Sequence, residues 1–276
     1  MAERIRLRLD VSYDGTDFSG WAVQPDRRTV AGVLGQTLGL VLGAGTATGL
    51  TVAGRTDAGV HATGQVCHVD LPATVWWRHE GTLLRRLARL LPADVRVRAM
   101  TEVVGDFDAR FSATYRRYEY RVTDAPWGAE PLRRHDTLAW PRTLDLAALN
   151  AAAGGLVGEH DFAAYCRRKA NATTLREVTR LDWRRDPDGT LVATVQADAF
   201  CQAMVRSLVG AMLTTGDGRR PVRWPAALLT RRERANEVPV APAHGLSLIA
   251  VGYPEDPTEY ARRADLTRRL RVPLEG

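Results

Sequence analysis

Lysine is almost missing from this chain of 276 residues: Lys169 is the only one, so the positive charge rests on arginine. An arginine-favouring coding bias accounts for that as well as phosphate recognition does. Cysteine is scarce too. Cys67, Cys166 and Cys201 are odd in number, widely spaced and free of any Cys-x-x-Cys pair, which argues for reduced thiols over a zinc site or a disulfide framework. Long apolar runs are lacking. The longest uncharged apolar stretch, VAGVLGQTLGLVLGAG from Val30 to Gly45, falls short of the ~20 residues that a membrane-spanning helix needs. The amino terminus, MAERIRLRLDV, is charged and alternating, unlike a signal peptide or an anchor. These absences point to a soluble protein of the cytoplasm.

Nucleotide and metal signatures are missing as well. There is no GxxxxGK[ST]. Gly43-Ala-Gly45-Thr-Ala-Thr-Gly49 imitates a dinucleotide fingerprint, but it follows a helix-like segment and precedes a strand-like one, the reverse of the required context. His61, Cys67 and His68 invite a metal reading. On a strand, however, Cys67 and His68 point to opposite faces, and no second cluster supplies the remaining ligands. They read as a packed thiol and a strand histidine. No cofactor and no metal are expected, and a metal-dependent nuclease, which needs clustered carboxylates or histidines, is disfavoured.

What is present is a basic chain with an ordinary core. It has 38 Lys+Arg against 32 Asp+Glu, a net charge of +6 and a pI near 9.6, a balance that favours a polyanionic partner. Its 276 residues suffice for one large domain or two modest ones, and a hydrophobic content of 45% is ordinary for a globular core. IRLRLDVSYDG alternates as a strand with one wet face, and Thr29 to Leu42 carries apolar residues at helical spacing. LTVA and QVCHVDL read as strands around a glycine-rich loop. GTLLRRLARLLP reads as an amphipathic helix, with Leu83, Leu84, Leu87, Leu90 and Leu91 toward a core and Arg85 and Arg89 on the other side. VRVRAMTEV is strand-like. The order then recurs: ATYRRYEYRVTD as a strand, Leu144 to Val157 as a helix, TRLDWRRD and LVATVQADAF as strands, a long helix over Phe200 to Thr215, and GLSLIAVGY as a last strand. Two β-α-β-β-α-β halves are predicted, with a break near Gly105 to Ala109.

Three places carry chemistry. In GRTDAGVHATGQV, Asp57 sits between Gly54 and Gly59 with Arg55, Thr56 and His61 close by. Such glycines permit positive φ or close backbone approach, although a loop aspartate also serves simply to cap a turn. In FSATYRRYEYRV, alternation sets Arg116, Tyr118, Tyr120 and Val122 on one face and Arg117, Glu119 and Arg121 on the other. Strand tyrosines are most often half-buried sheet residues, although two aromatics flanked by arginines also match surfaces on which an unpaired base stacks. In AFCQAMVRSLVGAML, Arg206 is the only charge in a mostly apolar helical run. A buried charge must be compensated, so Arg206 either snorkels to the surface or meets a carboxylate from elsewhere, for which Asp57 is a candidate.

Taken together, YDGTDFSGW (Tyr13 to Trp21), GRTDAGVHATGQV, FSATYRRYEYRV, GEHDFAAY (from Gly158), AFCQAMVRSLVG and APAHGLSLIAVGY resemble, in order and nearly end to end, the TruA family of tRNA pseudouridine synthases. The resemblance implies an α+β fold of two similar halves, residues 1–105 and 106–276. Each would carry a mixed, mostly antiparallel sheet of the ferredoxin or RRM type, and the two would join around a central RNA-binding cleft. It implies Asp57 as the catalytic nucleophile or base, Tyr118 as the aromatic against the target base, and Arg206 as the partner of Asp57. Arg55 would help hold the RNA or the vacated stack. Further implications are uridine isomerisation at tRNA positions 38, 39 and 40 in the anticodon stem-loop, a homodimer, and no cofactor or metal.

Arg85 and Arg89, Arg116 and Arg117, Arg167 and Arg168, and Arg262, Arg263, Arg268 and Arg269 would offer phosphate contacts on such a substrate. Two departures from the family pattern bear on RNA contacts: Ala22 and Val23 after the Gly-Trp pair, and Ala163 and Ala164 where serine is commoner. The competing reading is a catalytically silent RNA-binding module on the same scaffold, since fold does not guarantee activity.

Overall fold

A computed structural model describes residues 3–167 and 173–269. Contacts divide the chain into two compact units, one comprising Met1–Thr114 with Leu248–Arg269 and the other built on Tyr115–Ser247. The fold is α+β, its strands mostly antiparallel with one short parallel pairing among the described residues.

The first unit opens with β1 (Arg4–Tyr13), whose Leu7, Leu9, Val11 and Tyr13 alternate inward as the sequence pattern predicts. Helix α1 (Val30–Leu42) begins where Thr29 accepts the Gly32 N–H, and it buries Val30, Leu34, Leu38 and Val41 along one stripe. β2 (Thr48–Val52) and β3 (His61–Pro72) follow, then α2 (Ala73–Leu90) and β4 (Val95–Val103). β1 lies between β4 and β3, and β2 pairs with the other side of β3. The β1–β3 register sets Leu9 opposite Cys67 and Val11 opposite Gln65, then shifts so that Tyr13 faces Ala62. This irregularity ends the strand beside the glycine-rich loop, where such bulges commonly re-aim a side chain.

Helix α2 differs from the sequence expectation in two ways. It starts directly after β3, eight residues before the predicted Gly81. Only Leu83, Leu87 and Leu91 of the five leucines are buried, while Leu84 and Leu90 are exposed. The buried line runs Trp76, Leu83, Leu87, and a 100° step per residue turns Leu84 away from it; Leu90, seven residues after Leu83, shares that face but is the last residue of the helix and is exposed.

In the second unit, β5 (Tyr115–Thr123) is flanked by β9 (Leu191–Ala197), which pairs with β8 (Leu175–Arg185) and then β7 (Gly158–Asp161). The two-residue β6 (Leu138–Ala139) adds to β5 in parallel. Asp145 caps α3 (Leu146–Gly154) by accepting from the Ala147 and Ala148 N–H groups. Helix α4 (Met204–Gly216) is buried along almost its whole length, and α5 (Trp224–Ala227) is a single turn. β10 (Leu246–Gly252) and α6 (Tyr260–Arg268) end the described chain and belong mainly to the first unit.

Two sequence expectations change here. The contact boundary falls after Thr114 instead of at residue 105, and the carboxyl-terminal stretch returns to the first unit. Residues after Gly105 are tied there: the Phe107 carbonyl accepts from Arg6 at 2.9 Å, Ala109 N–H donates to His68 Nδ1 at 3.0 Å, and the Phe107 ring packs on Tyr253 and Tyr260. A linear reading cannot see a segment that comes back. The second change concerns thiols. Cys166 and Cys201, 35 residues apart, form a disulfide with Cα atoms 5.7 Å apart, against the expectation of three reduced cysteines. The Arg167 N–H donates to the Gln202 carbonyl at 3.0 Å, so backbone pairing brings the two together. Cys67 stays free and buried. Among the described residues, no helix is long and apolar enough to cross a membrane.

Candidate active site

The Asp57 loop joins β2 to β3 and is clamped on the loop that follows β1. Trp21 N–H donates to the Thr56 carbonyl at 3.1 Å, and Gly59 N–H to that of Phe18 at 3.3 Å. Both glycines of the partner loop are needed. A Cβ on Gly15 would lie 2.0 Å from the Val60 carbonyl oxygen, and Gly20, at φ +92°, would place one 2.8 Å from that of Thr56. Gly15 N–H also donates to His61 Nδ1 at 2.9 Å, so the buried histidine serves the loop contact. The Asp57 carbonyl accepts from Val60 N–H at 3.2 Å, closing a turn.

On this scaffold Asp57 is half-buried and its neighbour Arg55 exposed. Among the described residues of this unit, no hydrogen bond or ion pair engages the Asp57 carboxylate. The backbone hydrogen bonds of the loop fix the main chain on either side of Asp57.

The second unit places Tyr118 on β5 opposite Val195 of β9, buried to 7% exposure, with the Phe200 ring edge-on at 5.3 Å and 86°. Tyr120, two residues along the same face, is fully buried and donates its hydroxyl proton to the Pro242 carbonyl at 2.8 Å. Burial pushes the Tyr120 phenol pKa up, and the nearby Arg206 charge opposes that in part.

Arg206 is half-buried on α4, and its Nε donates to the Ala241 carbonyl at 2.6 Å, while Ala241 N–H donates back to the Arg206 carbonyl at 3.0 Å. The compensation that the sequence demanded thus includes a backbone carbonyl, a partner that residue types cannot reveal. The unit places Tyr118 and Tyr120 on one face of β5, Phe200 against Tyr118 from the loop before α4, and the Arg206 charge near Tyr120.

A family model described as tRNA pseudouridine synthase matches residues 152–254, a span that includes β8, β9 and Arg206 on α4. Matches to curated relatives run over almost the whole chain. A tRNA pseudouridine synthase A of Frankia casuarinae is 59% identical over 98% of this chain and 96% of its own length. Those of Streptomyces griseus and Mycobacterium leprae are 54% and 50% identical, over 99% and 98% of this chain and 96% and 97% of theirs. The chain belongs to the tRNA pseudouridine synthase A family.

Within this family member, the arginines expected to meet phosphates divide sharply. Arg85, Arg89 and Arg167 are exposed. Arg116 is not: it is 6% exposed and donates to the Asp198 carbonyl at 2.8 Å, because it lies on the inward face with Tyr118. Arg117 donates to the Gln196 side chain at 2.7 Å. Helix α6, unforeseen in the sequence reading, engages three more. Arg262 pairs with Glu259, Arg263 donates to the Ala113 carbonyl, and Arg268 reaches Asp265 and Asp108 and covers the Phe111 ring. Arg269 is exposed, and Arg168 lies outside the described residues.

The departures from the family pattern also separate. Val23 is exposed, whereas Ala163 and Ala164 are buried in a 3-10 turn (Ala163–Tyr165), where they pack inside the protein.

Cys67 and His68 occupy packing positions. Burial, and secondarily the Asp10 carboxylate, drives the Cys67 thiol pKa up. Burial, with the Arg6 charge, lowers that of His68, whose Nδ1 accepts the Ala109 N–H.

Two polar residues escaped the sequence reading. Tyr13 and Gln65 both reach the Asp57 loop; each lies in a motif that carries the family resemblance, YDGTDFSGW and GRTDAGVHATGQV, but neither was singled out for a role.

Proposed function

We propose that the chain isomerises uridine to pseudouridine at positions 38, 39 and 40 in the anticodon stem-loop of tRNA. The observation that carries this is identity of 50–59% over nearly full length with tRNA pseudouridine synthases A. The clamped loop that presents the Asp57 carboxylate supports it. The reaction breaks the N1–C1′ bond, turns the uracil and joins C5 to C1′. The C5 proton leaves, N1 gains one, and the product is an isomer of the substrate. A uridine in a stem must first leave its stack.

Asp57 starts the reaction, either as a nucleophile toward C1′ or the base, or by taking a proton from the sugar. Tyr118, held by Phe200, offers the freed uracil an aromatic surface. Arg206, with its Nε fixed on Ala241, is the partner of Asp57. Arg55, exposed beside Asp57, serves the displaced nucleotide or the gap it leaves.

The same reading takes both halves as ferredoxin-like, for which the β4-β1-β3-β2 order of the first unit is the support. It places the enzyme in the cytoplasm as a homodimer that needs neither cofactor nor metal. The charge of +6 suits a tRNA substrate.

The test is tritium release from an anticodon stem-loop labelled at uridine C5, because formation of the C5–C1′ bond sends that hydrogen to water. Wild type releases tritium; Asp57→Asn binds the RNA and releases none. Wild type that binds both stem-loop and full tRNA without release leaves a silent RNA-binding module instead.

A further inference from the structure

Gln65 lies in the middle of β3 with no exposure at all, a rare setting for an amide side chain. Buried amides must spend their hydrogen bonds internally. Gln65 Nε2 donates to the Gly54 carbonyl at 2.8 Å and to the Tyr13 hydroxyl oxygen at 3.1 Å. The Gly54 carbonyl can only accept, so the amide nitrogen faces it and the amide orientation is fixed. Both amide hydrogens are then used. The Tyr13 and Thr56 hydroxyls share a hydrogen bond of 2.8 Å, both residues being buried.

The chain of contacts therefore runs Gly54 carbonyl, Gln65 amide, Tyr13 hydroxyl, Thr56 hydroxyl. It grips the Asp57 loop at two points, three residues and one residue before the carboxylate. Trp21 holds the same Thr56 through its carbonyl, and the Tyr13 and Trp21 rings lie 5.9 Å apart. None of the three side chains is an acid or base suited to the reaction, and of the three only Thr56 belongs to the Asp57 loop.

We propose that Tyr13, Thr56 and Gln65 are positioning residues for Asp57. They hold the loop so that the carboxylate meets the reacting nucleotide without first being ordered by it. The inference rests on Asp57 being the catalytic carboxylate. Loss of a link leaves the loop anchored by its backbone but loose at the angstrom level, and misplacement of that order costs up to roughly 100-fold in rate.

The experiment compares Tyr13→Phe, Thr56→Val, Thr56→Ser and the Tyr13→Phe/Thr56→Val double variant with wild type. It measures single-turnover tritium release at saturating labelled stem-loop, RNA affinity by filter binding, and the thermal unfolding midpoint. The expected result is slow release by Tyr13→Phe and Thr56→Val, with RNA affinity kept and midpoints above the assay temperature. Thr56→Ser keeps the hydroxyl and stays near wild type. The double variant is no slower than the slower single one, because both remove the same hydrogen bond.

A rate of Thr56→Val equal to wild type overturns the proposal. So does Thr56→Ser as slow as Thr56→Val, or a loss of release that merely follows loss of RNA affinity. If Tyr13→Phe fails to fold, the Thr56 pair decides alone. Wild type that binds RNA without releasing tritium removes the reading of Asp57 and this inference with it. An active wild type, an inactive Asp57→Asn and fully active network variants remove only the inference.

Discussion

Adding one methyl group at Gly15 tests whether loop packing sets the position of Asp57. The Cβ of Gly15→Ala would sit 2.0 Å from the Val60 carbonyl oxygen, where ordinary contact begins near 3.4 Å, so the two loops must part by about 1.4 Å. Val60 cannot move alone. Its N–H closes the turn on the Asp57 carbonyl at 3.2 Å, and the next residue, His61, accepts the Gly15 N–H at 2.9 Å. The displacement therefore passes to the carboxylate. Overpacking of this kind costs roughly 1–3 kcal/mol of stability. A shift of about 1 Å at a reacting group costs on the order of 100-fold in rate.

The assay is single-turnover tritium release with enzyme in excess, beside urea unfolding and RNA binding. Gly35→Ala is the control. Gly35 is exposed in α1 with nothing within 4 Å of an added Cβ, so alanine there gains about 0.5–1 kcal/mol from helix propensity and keeps full activity. Gly15→Ala that is as active and as stable as wild type would refute the reasoning.

Two further outcomes follow from buried groups away from the site. Burial lowers the pKa of His68, so the folded state favours the neutral ring and the unfolded chain takes up a proton first, near pH 6.5. That contribution is complete above pH ~7 and is lost as pH falls through 6.5 toward the depressed folded value, with a slope of at most about 1.4 kcal/mol per pH unit. Urea unfolding between pH 5 and 8 should show it, and His68→Asn, which keeps an acceptor for Ala109, should flatten it; an unchanged slope in that variant assigns the effect elsewhere.

The Cys166–Cys201 disulfide closes a loop of 35 residues, which the chain-entropy treatment values at about 4 kcal/mol. Adding dithiothreitol, or making Cys201→Ser, should lower the unfolding free energy toward that extent. Identical unfolding with and without reductant would show that the bond contributes nothing in solution.

Local pattern was enough for much of this protein. The alternation of Leu7, Leu9 and Val11 specified β1, that of Arg116, Tyr118 and Tyr120 specified β5, and Thr29 ahead of Val30 and Leu34 specified α1, because strand and helix periods are written in neighbouring residues. The Asp57 loop was legible for a related reason: its glycines, arginine and aspartate are contiguous.

Tertiary structure decided what depends on residues far apart. Tyr13 meets Thr56 across 43 residues and Gln65 across 52, and only the shifted β1–β3 register brings them together. Arg206 found a carbonyl 35 residues away, and Cys166 found Cys201 through a backbone hydrogen bond between adjoining loops. Leu84 looked like core and is not, since the choice of buried stripe on α2 belongs to the surface it packs against, and Leu90 shares that stripe but is exposed at the helix end. Periodicity says that a segment has an inner face; which residues meet there is fixed by register, by turn geometry and by the segments that return from elsewhere in the chain.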